Sequence, residues 1–277
     1  MGAADWLRGD LGTTLKDLQE QIRKNPASAK LRVFLFQLLA IEGSWDRALT
    51  QLKVAGELDA GALTMVQTYQ EALLCEALRD EIFAGQRSPL VFGRPESWVA
   101  LLVEALRLGA AGEIEHAQQI RAEAFDAAPV TKGEIDGQPF EWIADADPRL
   151  GPVLEAIVNG RYYWVPFHRI REIRLEPPAD LRDLVWTPAY FTWTNGGESV
   201  GLVPTRYPGS QASADPQIRL ARRTEWVDRG AELFIGLGQR MLATDAGEYP
   251  LMDARAIRLA TSEAADAAVL AQPAAGG

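Results

Sequence analysis

Apolar positions recur at helical spacing from residue 5 to about residue 128. Leu7, Leu11, Leu15, Leu18 and Ile22 share one face of a first helix, because residues three and four apart lie one above the other on a helix. Asn25-Pro26 ends it, since the residue before a proline is pushed out of the α region, and Ser28 can cap the next helix. Leu31, Phe34, Leu35 and Leu38 make a second face that stops at Gly43. Trp45, Ala48, Leu49 and Leu52 start a third, with Gly56 and Gly61 bracketing its end. A longer helix runs through Leu63, Val66, Leu73, Leu74, Ala77 and Leu78. Residues 85–95 read as a loop, and two more helices follow at about 96–109 and 113–127.

A shift of 69 residues maps Pro26 on Pro95, Leu39 on Leu108, Gly43 on Gly112, Ala48 on Ala117 and Ala55 on Ala124. That shift is close to twice the ~34-residue period of tetratricopeptide helix pairs. The residue types fit such pairs: alanines let paired helices approach, and a glycine near the turn accepts positive φ. One pair cannot bury its apolar face alone, so stacking is expected.

After Pro129 the period changes. Asp136-Gly137 and Asn159-Gly160 are hairpin dipeptides, and Asn195-Gly196-Gly197 is a looser turn. Strand-like runs lie at 140–144, 162–167, 170–175, 185–194, 200–203, 233–237 and 241–243. A short helix is expected at 150–158, with Asp147 as N-cap and Pro148 at its first position. Pro177-Pro178 and Pro188 suit strand edges or breaks. Residues 209–216 read as a polar loop, and residues 261–277, with seven alanines, as a flexible tail. The predicted fold is α+β: tetratricopeptide-like helices at 1–129, then a mostly antiparallel small sheet or barrel with a short helix at 130–260.

Composition narrows the function. Apolar residues are 47% and charged residues 24% of 277, which is ordinary globular usage. The net charge of −10 divides evenly, −5 in residues 1–129 and −5 in the remainder. Neither half carries the basic footprint of a nucleic-acid binder. A single cysteine, Cys75, excludes an internal disulfide and fits a reducing compartment. No signal peptide or membrane span is read, so the cytoplasm is the expected location. Lysine stops at Lys132 and every later basic side chain other than His168 is arginine. Two readings stand: a composition bias, or planar guanidinium groups that anchor carboxylates and stack on aromatics.

Catalytic constellations are not evident. Glu113 and His116 make one E-x-x-H, where a di-iron bundle needs two plus further carboxylates. His168 has no ligand partner near it in sequence, and no zinc spacing exists. Cys75 sits among Leu73, Leu74, Ala77 and Leu78 and reads as a buried small hydrophobe. Gly236-Leu237-Gly238 begins like a dinucleotide fingerprint but has Met241 at the third position and precedes a strand. Asp145 and Asp147 could hold a hard cation, though helix capping is the simpler reading. No catalytic residue, metal or cofactor is expected.

Aromatics are the richer signal. In a strand, Tyr162, Trp164 and Pro166 share one face, and Tyr163, Val165 and Phe167 the other. One face can fill a core; the other must meet the helices or a partner. Trp186, Tyr190, Trp193, Tyr207 and Trp226 add to this stock, with Arg222 and Arg223 beside Trp226. Core packing is one reading, and an Arg/aromatic protein interface is the other.

Several long stretches resemble the ImpE/TagJ (SciE-type) family. They are ADADPRLGPVLEAIVNGRYYWVPFHRI at 144–170, EPPADLRDLVWTPA at 176–189, LVPTRYPGS at 202–210, RLARRTEW at 219–226 and GLGQRMLATDAGEYPLMD at 236–253. LRVFLFQLLAIEGSWDRALTQL at 31–52 resembles its helical part. The resemblance spans roughly residues 10–260; His168, Thr187 and the loop near Gln211 read as drift, and the Ala-rich tail lies outside it. It implies a non-enzymatic accessory protein of bacterial type VI secretion. It also implies binding to the small sheath subunit near that subunit's N-terminal helix, and a link to the ATPase that recycles the sheath. It brings no catalytic residues.

The expected mechanism is docking, with a helical segment of the partner laid against the repeats. The residues expected to carry it are Leu31, Phe34, Trp45 and Trp98 on the helices, and Arg161, Tyr163, Trp164, Arg206, Tyr207, Arg222, Arg223 and Trp226 beyond them. Two rival readings are kept. One is a small-molecule or enzymatic site at the domain junction, lined by Arg161, Arg206, Arg222 or Arg223. The other is a generic tetratricopeptide chaperone adaptor.

Overall fold

The structure, a computed structural model, describes residues 11–260. The expected tail at 261–277 and the first position of the opening helix, Leu7, lie outside the described residues. Six helices come first: α1 (Leu11–Lys24), α2 (Ala29–Ile41), α3 (Trp45–Leu58), α4 (Leu63–Phe83), α5 (Ser97–Ala110) and α6 (Ile114–Ala127). Ser28 caps α2 by accepting from the Leu31 N–H at 3.4 Å.

The 69-residue shift is a structural repeat. It carries α2–α3 onto α5–α6, down to the turn hydrogen bonds. Gly43 N–H donates to Ala40 O at 3.1 Å, and Gly112 N–H donates to Gly109 O at 3.1 Å. Ser44 N–H donates to Leu39 O, and Glu113 N–H donates to Leu108 O. Both glycines have positive φ, 68° and 86°, where a side chain is strained. Ala48, Ala55, Ala117 and Ala124 are fully buried between the paired helices.

Nine strands form the main sheet. Its order is β1 (Leu90–Val91), β6 (Arg161–Pro166), β5 (Val153–Val158), β9 (Glu198–Pro204), β8 (Trp186–Trp193), β7 (Ile170–Leu175), β14 (Ala256–Ala260), β2 (Lys132–Ile135) and β3 (Gln138–Phe140). All neighbours are antiparallel except β1 and β6. A second sheet joins β13 (Gly247–Pro250), β12 (Met241–Thr244) and β4 (Ile143–Asp145). β10 (Thr224–Asp228) and β11 (Phe234–Gly238) make a hairpin, preceded by the four-residue helix α7 (Pro216–Arg219). Asp136-Gly137 and Asn159-Gly160 close tight hairpins with positive φ at both positions.

The centre of the large sheet, at β5 and β6, is buried on both faces. Val153, Ile157, Tyr162, Trp164, Trp186 and Leu202 pack into the core shared with the helices. Leu154, Ala156, Val158, Val165, Phe191 and Ile173 pack into a second core beneath β12 and Leu251. Both faces of the aromatic strand β6 are thus met by the chain itself.

Four expectations are corrected. The helix expected at 150–158 is a turn followed by β5, every residue of which is buried. A six-residue apolar run buried on both faces loses its alternation and cannot be told from a buried helix by period. Asp147 caps no helix; its carboxylate binds Arg149 and accepts from the Gly236 N–H at 2.9 Å. The loop at 85–95 contains β1, too short for any pattern, which pairs Leu90 with Tyr163. Pro188 stands inside β8, an interior strand rather than an edge. Its carbonyl accepts from the Glu176 N–H just past the last β7 pair, so the missing proline N–H falls where the ladder ends.

Gly236 explains the glycines that imitate a fingerprint. A Cβ there would lie in the ring of buried Tyr207. Gly236→Ala is therefore expected to lower unfolding stability by about 1–3 kcal/mol, the range for overpacking, as read by denaturant titration.

Candidate functional site

The helical and sheet layers meet at one buried carboxylate. Glu155 lies in the middle of β5, among Leu154, Ala156 and Ile157. Arg79 of α4 grips it bidentately, Nε to Oε1 at 2.6 Å and Nη2 to Oε2 at 2.8 Å. Arg240, between β11 and β12, binds it from the other side and also binds Asp145. The Tyr162 hydroxyl donates to it as well and accepts from Trp164 Nε1 at 3.0 Å. All six side chains are buried.

The network extends in both directions. Glu76 pairs with Arg79 at 3.3 Å and accepts from Trp186 Nε1 at 3.0 Å. Arg79 donates to Arg206 O at 2.8 Å. The Arg206 guanidinium then donates to Ile41 O at 2.9 Å and Ala40 O at 3.2 Å, filling acceptors at the α2 C-terminus. Tyr207 donates to Asp145 Oδ1 at 3.0 Å.

The electrostatics are those of a clamp. Burial alone would raise the Glu155 carboxyl, but Arg79 and Arg240 outweigh it and bring it to about 2. Burial raises Asp145 to about 6 against the pull of Arg240. Burial lowers Arg206 to about 10. Each of these ionised groups is tied to partners within the chain, so the cluster is occupied in holding two layers together.

The other chemical candidates are also engaged. Burial, then Glu76 and Glu71, push Cys75 up to about 12, and its thiol donates weakly to Gly160 O at 3.6 Å. That is an inert thiol. Glu113 and His116 lie 3.6 Å apart on an exposed face. His168 lies 3.1 Å from Glu96, which Arg169 also binds at 2.7 Å. Among the described residues no three His, Cys, Asp or Glu side chains converge on a metal site, and no helix is long and apolar enough to cross a membrane.

The twelve residues expected to bind a partner divide. Trp98, Trp164, Arg206 and Tyr207 are buried in the chain's own interior, which corrects their assignment to a surface. Trp45 packs 6.4 Å from Trp186 and donates to Asp80 at 3.1 Å. Leu31 and Phe34 are half-buried against the helical core. Tyr163 meets Phe92 edge-on. Arg161, Arg222, Arg223 and Trp226 are exposed, Arg223 pairing with Asp215 at 3.1 Å. The inner face of the repeats is thus lined by the sheet and is not an empty trough.

The sequence reading missed an open apolar groove of about 400 Å³ at the far end of the repeats. Phe125 ends α6, Val130 follows it, and Trp142 stands between β3 and β4. Their exposures are 38%, 73% and 41%. Beside them runs β4, the edge of the second sheet. Asp126 and Glu141, both exposed, flank the apolar residues in the chain.

Stacked helix pairs clamped by ion pairs onto an antiparallel sheet define an α+β helical-repeat protein. A solved structure of the same architecture is protein VPA1032 from Vibrio parahaemolyticus. It is 24% identical, with a TM-score of 0.83 over 92% of this chain and 96% of that one. The family described as ImpE protein matches residues 137–258. Over 265 residues the chain is 53% identical to the type VI secretion system accessory component TagJ of Pseudomonas aeruginosa, covering 95% of this chain and 93% of that protein. The chain belongs to the ImpE family.

Removing the central charge tests the clamp. Glu155→Gln leaves Arg79 and Arg240 short of a buried counter-charge and is expected to cost about 3–5 kcal/mol at pH 7. The Glu155 pKa is depressed from 4.5 to about 2 on folding. Its stabilisation is complete above the unfolded value and is lost as pH falls through the folded one. Stability measured by denaturant titration between pH 4.5 and 2 should therefore fall more steeply in the wild type than in the variant.

Proposed function

We propose that this chain is a non-enzymatic accessory protein of bacterial type VI secretion, acting in the cytoplasm as an adaptor for the contractile sheath. The observation that carries the accessory role is the 53% identity to TagJ across 95% of the chain. The resemblance of the long motifs supports the small sheath subunit as partner, through its N-terminal helix, with the sheath-recycling ATPase as the process served.

Docking falls to the groove at Phe125, Val130 and Trp142, because the repeats spend their inner face on the sheet. The groove fits the apolar stripe of an amphipathic helix. Aromatic anchors of this kind dominate binding energy in protein interfaces. Asp126 and Glu141 suit a helix with basic flanks, as does the net charge of −10.

The test is a calorimetric titration of the full chain with a synthetic peptide of the sheath subunit's N-terminal helix. A dissociation constant of about 10 μM or tighter is expected, and Trp142→Ala or Val130→Asp should weaken it at least about tenfold. Both side chains are exposed, so neither change should shift the thermal midpoint noticeably. Absence of binding at about 100 μM would overturn the sheath-adaptor reading; unchanged affinity in both variants would overturn the placement of the groove.

A further inference from the structure

On a chain with 38 acidic against 28 basic side chains, a cavity at the edge of the helical layer pairs an apolar wall with basic side chains alone. It has a volume of about 440 Å³ and lies between the end of α4, α5, α6 and the β10–β11 turn. Phe83, Leu102, Leu106, Ile114 and Ile235 form its apolar wall. Arg121, Arg149 and Arg229 also line it, and no acidic side chain does. None of these arginines is among those expected from the sequence at the junction.

Arg121 is the informative one. It is only 6% exposed. The other buried arginines, Arg79, Arg206 and Arg240, are each tied by ion pairs or carbonyl acceptors. The Arg121 guanidinium has no hydrogen-bond or ion-pair partner among the described residues, and its nitrogens are not sealed in the core but open onto the cavity. The acid that acts on it from a distance, Asp147, is already committed to Arg149 at 2.6 Å and to the Gly236 N–H at 2.9 Å. Burial accordingly lowers the Arg121 pKa. An arginine stays charged regardless, so a guanidinium partly stripped of water and without a protein partner is a cost to the folded state that an anion in the cavity would relieve.

Arg149 differs from its two neighbours, since Asp147 balances its charge and its guanidinium stacks 5.0 Å over the Phe83 ring. The uncompensated cations are therefore Arg121 on α6 and Arg229 on the hairpin turn. They stand over apolar side chains in a cavity whose size is that of ordinary small-molecule sites.

We propose that this cavity binds a small organic anion, its carboxylate or phosphate head held by Arg121 and Arg229 and its apolar body laid against the wall of Leu102, Leu106 and Ile235. The site is separate from the docking groove and stands or falls without it. A ligand here bridges the second helix pair and the β10–β11 hairpin.

The experiment is a calorimetric titration of the full chain with octanoate, octyl phosphate, octanamide and inorganic phosphate. Octanoate or octyl phosphate should bind, and the preferred head group separates a carboxylate from a phosphate ligand. Octanamide, which has the body without the charge, and inorganic phosphate, which has the charge without the body, should each bind at least about tenfold more weakly. Arg121→Gln should weaken the anion at least about tenfold while the thermal midpoint of the free protein stays level or rises, because an unpaired buried charge is gone. A merely structural Arg121 would lower that midpoint. Arg229→Gln, at an exposed turn, should weaken binding without touching the core and decides the matter if the first variant fails to fold. No anion binding at millimolar concentration, equal affinity for octanamide, or full affinity in both variants would overturn the proposal.

Discussion

The architecture depends on a carboxylate placed where water cannot reach it. Glu155 sits at the centre of a strand buried on both faces, and an ion there is tolerable only when its oxygens are filled. They are filled by Arg79 from the helical layer, Arg240 from the segment between β11 and β12, and Tyr162 from the adjacent strand. Ion pairs of this kind add little net stability over a well-packed apolar equivalent. What they supply is geometry, because each arginine must arrive at a fixed angle for its fork to match the carboxylate. The helical layer is thereby held in register on the sheet, and Arg206 extends the hold to the end of α2.

That clamp determines where function can be. Stacked helical pairs ordinarily offer a concave face to a partner, but here Trp186, Trp164 and Tyr162 lie against it. Two apolar sites left open lie at the margins: the groove around Trp142 and the arginine-lined cavity under the hairpin turn. One is apolar with an acidic surround and the other apolar with cations, so they favour different ligands. Both touch α6, the last helix of the second repeat.

Much of the frame was legible in the sequence because local rules set it. The helix pairs followed from period and from the 69-residue shift, and the two hairpins from Asp136-Gly137 and Asn159-Gly160. The failures share a cause. Val153–Val158 reads as helix or strand alike when both faces are apolar, and only its pairing with β6 and β9 decides. Trp164 and Tyr207 looked like interface anchors because composition cannot say whether an aromatic meets a partner or its own chain. The clamp residues are 76 positions apart at Arg79 and Glu155, so no sequence window contains both. One local signal did exist, a glutamate inside an otherwise apolar strand. The open groove had none, since Phe125, Val130 and Trp142 belong to three segments.

The shortest strand has the widest reach. Leu90 and Val91 leave the helical region to run alongside Tyr163 and Trp164, closing an edge of the main sheet in the parallel sense. The stretch that defines the family begins only at residue 137 and does not include them. Cut loose, that stretch would bare a flank of hydrogen-bonding backbone together with the tryptophan wall that α4 covers. The sheet layer therefore has a closed edge and a covered tryptophan face only with the helical layer attached.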